Sequence, residues 1–290
     1  MSPVREVSLT ALREIRRNLG STKGIALSIL FFLGGLVPNL LVTTVQALGA
    51  GETLPPEERR KLIEEALTRG GYAADLAHHL ATWPPVLALM FSGSLIAAPL
   101  LILLIGFDQI AGDIQHRAIR YIAGRSRRES IVIGKAVGLW GVIAVLMLIT
   151  NVTVWIFTLI QGSGAVTEVL KWGPLVWLAS VTMAAAWVGL ISLVSSFFKT
   201  PIVALFVAAP VFFTMWLTHF IIRAVNPAQP SRWIFPFRYE DFIMSEAPKE
   251  LIGSRLSMNV GHVLGGMGAS IAWGAVMVAI ATLVVKRRDI

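Results

Sequence analysis

Residues 85–107 run for twenty-three positions without a charged side chain, and five further apolar runs of similar length lie in the same chain. A backbone placed in hydrocarbon has no water to satisfy its N–H and C=O groups, so it must form helices or a closed barrel. Runs beyond ~18 apolar residues select the helix. The runs occupy 24–48, 85–107, 131–160, 172–198, 201–222 and 260–285, and Lys135 is the one Lys, Arg, Asp or Glu within them. The expected fold is therefore an all-α membrane protein with six transmembrane helices in a single transmembrane domain, 1–290.

Composition narrows the function classes. The chain is 55% hydrophobic and 14% charged, against about 25% charged in a soluble domain. Its net charge of +8 is no nucleic-acid signal, because the basic residues sit in short segments at the ends of apolar runs. Zero cysteine rules out a disulfide framework and a thiolate metal site. The first 23 residues are polar and basic, and the run after them is too long for a secretory signal's apolar core, so no cleaved leader is expected.

Ser2-Pro3 suits a helix start, and Val4, Val7, Leu12, Ile15 and Leu19 recur at roughly helical spacing. Residues 1–23 thus read as an amphipathic elbow helix on the membrane surface, with Arg13, Arg16 and Arg17 toward anionic head groups. Residues 49–84 leave the membrane. Pro55-Pro56 opens a helix that Gly70-Gly71 closes, and Glu57/Lys61, Lys61/Glu65, Arg60/Glu64 and Glu65/Arg69 are spaced i,i+4. Tyr72 to Trp83 reads as an interfacial helix, and adjacent His78 and His79 point apart, which suits solvation and not a metal. Residues 223–259 gather Trp233, Phe235, Phe237, Tyr239 and Phe242, an aromatic density that favours an interfacial segment between spans five and six.

Lys/Arg counting sets the orientation. Segments 1–23, 108–135, 197–200 and 286–290 hold 15 Lys/Arg in 60 residues, and segments 49–84, 161–172 and 223–259 hold 10 in 85. The positive-inside rule then puts both termini and the loop 108–130 in the cytoplasm.

That loop and the start of span three form the stretch Asp108 to Lys135, with six Lys/Arg. Ile110, Ile114, Ala118 and Tyr121 follow helical spacing, and Gly124 suits a helix end. Ser126-x-x-Glu129 is a capping-box pattern ahead of Ile131-Val132-Ile133. Lys135, about two turns inside that helix, is close enough to the surface to snorkel. A short helix held between two spans can transmit a push from a soluble partner. An ordinary basic loop obeying the positive-inside rule fits the same pattern.

Asp108-x-Ile110-x-Gly112-Asp113, Arg120-Tyr121, Ser126-Arg127, Gly134-Lys135-x-x-Gly138 and the tail Arg287-Arg288-Asp289-Ile290 together resemble type-2 ABC exporter permeases over nearly the whole chain. The resemblance implies a permease subunit in the bacterial cytoplasmic (inner) membrane, with a cytoplasmic coupling helix between spans two and three. It implies cytoplasmic ABC ATPase subunits and a second permease copy or a homologous permease as partners, besides the lipid bilayer. Asp113, Ile114, Arg117, Ala118, Arg120, Tyr121 and Arg127 are the implied coupling residues, with Asp113 setting the turn or pairing with Arg117. ATP and Mg would belong to the partner ATPase, since no G-x-x-x-x-G-K-[ST] occurs here. Two departures stand out: Arg117-Ala118-Ile119 replaces the common G-T-L, and the outer loop 49–84 is long. That loop is also a candidate dock for a periplasmic partner.

Uncharged span interiors argue against an ion-coupled carrier, and no H-E-x-x-H or G-x-S-x-G marks an intramembrane enzyme. Asn151 and Thr153 are expected to bond across helices. His219 and His262 read as interface residues, and Met183, Met215 and Met277 as packing. Gly189, with Ser192, Ser195 and Ser196, and Gly261-x-x-x-Gly265 read as small-residue packing faces. A membrane scaffold without a transport pathway remains the alternative to the permease.

Overall fold

The computed structural model describes residues 2–47, 55–69, 77–78, 81, 85–115, 127–162, 165–225 and 260–287. Among these the chain is helical throughout: α1 Pro3–Leu19, α2 Thr22–Ala47, α3 Pro56–Arg69, α4 Pro85–Gly106, α5 Ala111–Gln115, α6 Arg128–Ile160, α7 Val166–Phe197, α8 Pro201–Val225 and α9 Val260–Lys286. Among the described residues, four stretches are long and apolar enough to cross a membrane: Thr22–Thr44, Ala97–Gln115, Arg128–Ile160 and Val166–Phe197. Pro201–Thr214 and Ser270–Lys286 are shorter apolar helices.

Helix α7 is the most enclosed of the four candidate spans. It packs with α4, α6 and α8 around a core that includes Ile102, Leu146, Met183, Ile191 and Phe212. α9 lies against α7 where two glycines meet. A Cβ on Gly189 would come within 2.6 Å of the Gly274 Cα, so only the absence of side chains allows this approach. Gly261 and Gly265 belong to a stretch of α9 outside the described side chains. The outer surface is greasy: Ile25, Ile29, Leu40, Ile202 and Phe206 are each more than half exposed. Contiguous apolar exposure of this kind suits a lipid environment.

Several helix ends fall at punctuation in the sequence. α3 spans Pro56–Arg69 with Glu65 and Arg69 paired at 3.4 Å. Glu64 turns instead to His78, whose Nδ1 is 3.0 Å away. α7 ends at Phe197, Phe198 is extended, and α8 starts at Pro201. Gly162, at φ 64°, makes the turn between α6 and α7, where a side chain would be strained.

Three features go beyond the pattern in the sequence. Helix α7 begins at Val166, ahead of the apolar run that starts at Trp172. Trp172 Nε1 donates to Glu168 at 3.0 Å and Lys171 sits 4.8 Å over the Trp172 ring, so the charged first turns are held and the helix starts ahead of the apolar run. Asn151 and Thr153 bond within α6, to the Met147 and Ile149 carbonyls. Their neighbour Thr150 does bond across helices: its hydroxyl donates to the Phe31 carbonyl in α2 at 3.0 Å. Finally, α1 lies along α6. A Cβ on Gly134, Gly138 or Gly141 would strike Thr10, Glu14 or Ile15 respectively, each within 2.7 Å. The face of α1 that packs carries Glu6, Ala11 and Glu14, all buried, and Ile15 and Leu19 pack against the core, while Val4, Leu9 and Leu12 stay exposed.

Candidate functional site

Three glycines on one face of α6 bring α1 close enough for its carboxylates to reach across the contact. Glu14 reaches Lys135, whose Nζ lies 3.1 Å from Glu14 Oε1 and 2.6 Å from Asp113 Oδ2. The same ammonium donates to the Gln109 carbonyl at 2.7 Å. A lysine ammonium has three protons, and each has an acceptor here. Lys135 is 2% exposed, so it is buried in an ion-pair cluster and does not snorkel to the surface.

Arg17 closes the cluster from outside. It is 2.9 Å from Glu14 and 3.9 Å from Asp113, and Asn18 Nδ2 donates to Glu14 Oε2 at 3.2 Å. Two carboxylates thus face two cations at one junction of α1, α5 and α6. Buried charges are tolerated when they are paired and their remaining lone pairs are used.

The turn leading into α5 is held from a second side. Ser195, on α7, accepts from the backbone N–H groups of Ile110 and Ala111 at 3.1 and 3.0 Å. Its hydroxyl donates to the Phe107 carbonyl at 3.0 Å. One hydroxyl therefore satisfies three backbone groups at the end of α4 and the start of α5, where helix termini leave such groups unpaired. Ser192 donates to Gln109 Oε1 at 3.2 Å, and Lys23 pairs with Asp108 at 3.6 Å.

The start of α6 is held as well. The Arg127 N–H donates to Glu6 Oε2 at 3.2 Å, so the carboxylate that caps α6 comes from α1. The expected capping-box acid, Glu129, is used elsewhere: Lys286 donates to it at 2.8 Å, tying the end of α9 to α6. Ser126 lies outside the described residues. The Arg127 N–H, with the Ser130 hydroxyl behind it, holds the Glu6 carboxyl below its ordinary pKa of 4.5. A depressed carboxyl stabilises the fold above its unfolded pKa, and that contribution is lost as pH falls through the lower folded value. The expected result is that amide protection in residues 3–10, taken relative to the intrinsic exchange rate at each pH, falls between pH 5 and pH 3 by more in the natural chain than in Glu6→Gln. Equal pH dependence in the two proteins would remove this account of the cap.

Of the coupling residues read from sequence, Asp113, Ile114 and Arg127 are placed. Asp113 pairs with Lys135 and Arg17. Ile114 packs against a small cluster of Ile110, Val132, Ala281 and Val285. Arg127 is exposed at the head of α6. Arg117, Ala118, Arg120 and Tyr121 lie outside the described residues. Sequence reasoning missed Glu6, Glu14 and Gln109, and took Ser195 for a packing residue when its hydroxyl holds three backbone groups. The available signal was Glu6, Thr10 and Glu14 at i, i+4 and i+8 in an otherwise basic helix, which puts two acids on one side.

Among the described residues no cluster of three or more His, Cys, Asp or Glu could hold a metal ion. The arrangement ties the entry of the basic loop to α1, α6 and α7 through ion pairs and hydrogen bonds. A family model described as ABC-2 family transporter protein matches residues 10–290. No curated protein matches the chain.

Proposed function

The chain belongs to the ABC-2 family of transporter proteins, a multi-pass membrane family, and from that premise we propose that it is the permease subunit of an ATP-binding-cassette exporter. The reading has six spans, with both termini cytoplasmic in a bacterial inner membrane, and a second copy or a homologous permease beside it. Separate cytoplasmic ATPase subunits hold ATP and Mg and hydrolyse the nucleotide. They press on the loop after Gln115, with Arg117, Ala118, Arg120 and Tyr121 at the contact. The cargo is an amphipathic molecule, or the output is force on a periplasmic partner.

The observation that supports this most is the clamp at the loop's entry. A loop that only satisfied a charge rule would need no buried Lys135 with three acceptors and no Ser195 with three backbone bonds. Such fixings are useful where displacement of the loop must move α6 and α7 together.

Arg120→Glu combined with Tyr121→Ala is expected to cut co-purification of an ABC ATPase with the tagged chain by about tenfold, the effect of reversing one paired charge at an interface. Unchanged recovery of the ATPase removes the contact from this loop. If the natural chain brings down no ATPase at all, the membrane-scaffold reading replaces the permease. A cysteine placed at 120 adds a topology check, because the chain has no other. It should react with an impermeant maleimide only from the cytoplasmic side.

A further inference from the structure

A cleft of about 470 Å³ opens on the side of the bundle. α2 forms one wall through Gly34, Val37 and Leu41, and α4 the other through Leu89, Gly93 and Ala97. All six wall residues are exposed. The floor includes Met147 and Asn151 from α6 and Ser180 from α7, and among the described residues none with a formal charge lines the cleft. Its volume lies within the ~300–1,000 Å³ usual for ligand pockets.

Two glycines set its width. Among the described residues, a Cβ added to Gly34 or to Gly93 would meet no atom within 4 Å. Neither glycine is there to admit a neighbouring helix, in contrast to Gly35, whose Cβ would lie 2.8 Å from the Thr150 carbonyl and Thr153. Side chains at 34 and 93 would instead project into open space at the cleft walls.

The floor has nothing to offer a polar head group. Ser94 and Ser180 lie 3.1 Å apart, and each also reaches a carbonyl of its own helix. Thr150 is bonded to Phe31. Asn151 gives its Nδ2 to Met147, and its Oδ1, without a partner among the described residues, is sealed from solvent. Along α2 the lining runs from Leu30 to Leu41, and along α4 from Leu89 to Leu101. At 1.5 Å per residue each wall is about 17 Å long. Half of a ~30 Å hydrocarbon core is about the same length, which is the depth of one leaflet's chains.

We propose that this cleft is a binding site for one acyl chain of a bilayer lipid, which enters sideways between α2 and α4 and lies on α6 and α7. An uncharged apolar trough with a lateral mouth suits a hydrocarbon chain and rejects a charged head. The site goes beyond the permease reading, because it needs no ATPase and is measured on this chain alone.

The test uses phosphatidylcholine carrying a diazirine midway along one chain, in phosphatidylcholine nanodiscs, with adducts mapped by mass spectrometry. Adducts on residues 30–41 and 89–101 should saturate as the labelled fraction rises. Adducts at Phe206, an exposed residue of α8, should rise in proportion as a bulk-lipid control. Gly34→Leu with Gly93→Leu should cut the cleft adducts about fivefold or more, little more than the loss of one buried methylene, and leave Phe206 unchanged. The proposal is overturned if cleft adducts track Phe206 at every labelled fraction, which needs no variant and so survives any folding failure. It is also overturned if Gly93→Cys forms a disulfide between two copies, or if cleft residues cross-link to 226–259, because protein then occupies the trough.

Discussion

Lys135→Met is expected to destabilise the protein by about 3–5 kcal/mol, the usual cost of removing one partner from a buried ion pair. The methionine fills nearly the same space, so packing contributes little to the loss. What remains is Glu14 and Asp113 turned toward the same vacated position, with Arg17 as the residual cation on the outside. The Gln109 carbonyl loses its donor as well. Neutralising both acids should undo most of the damage: Lys135→Met with Glu14→Gln and Asp113→Asn should recover more than half of the lost thermal stability. Heating the detergent-solubilised proteins and following the monodisperse fraction measures both. A single variant as stable as the natural chain, or a triple variant no better than the single one, would show that the cluster does not hold α1 to α6.

Gly138→Leu carries the second large effect. A Cβ there would sit 2.6 Å from Glu14 Cβ and 3.0 Å from the Ala11 carbonyl oxygen. The second of these is backbone and cannot swing away, so α1 must lift. Overpacking of this kind costs about 1–3 kcal/mol, and here the lift also pulls Glu14 from Lys135. Hydrogen exchange across residues 3–19 should quicken by about tenfold or more, as expected for a local opening made easier by that amount. Gly34→Leu serves as the control, since its Cβ would meet nothing. The same substitution at two glycines should therefore give opposite results. If both leave exchange in α1 unchanged, the α1–α6 contact is not set by the glycine face.

The helices were legible from hydropathy because hydrocarbon leaves the backbone few choices. A run such as 85–107 needs no knowledge of its neighbours to be recognised. Ends were harder. At 166–171 the charges of Glu168 and Lys171 looked like a boundary, yet both are tied to Trp172, and a local partner of that kind lets a helix extend past the apolar run. The position of α1 was hidden for a different reason. Its arginines suggested anionic lipid, while the residues that decide its place are Glu6 and Glu14, whose partners at Arg127 and Lys135 are 121 residues further on. Periodicity shows which residues share a face but not what that face meets. The glycines at 134, 138 and 141 carried that information only once the opposing helix was known.

Helix α6 has 33 residues, so at 1.5 Å each it is about 50 Å long. Hydrocarbon accounts for only ~30 Å of that. Over the first turns of α6, 128–141, a length of about 20 Å, α1 runs alongside it. There the two helices form a doubled post. A single unsupported helix of that length would bend under load, whereas two helices pinned by buried ion pairs resist it. A push received at the head of such a post passes along it with little lost to flexing.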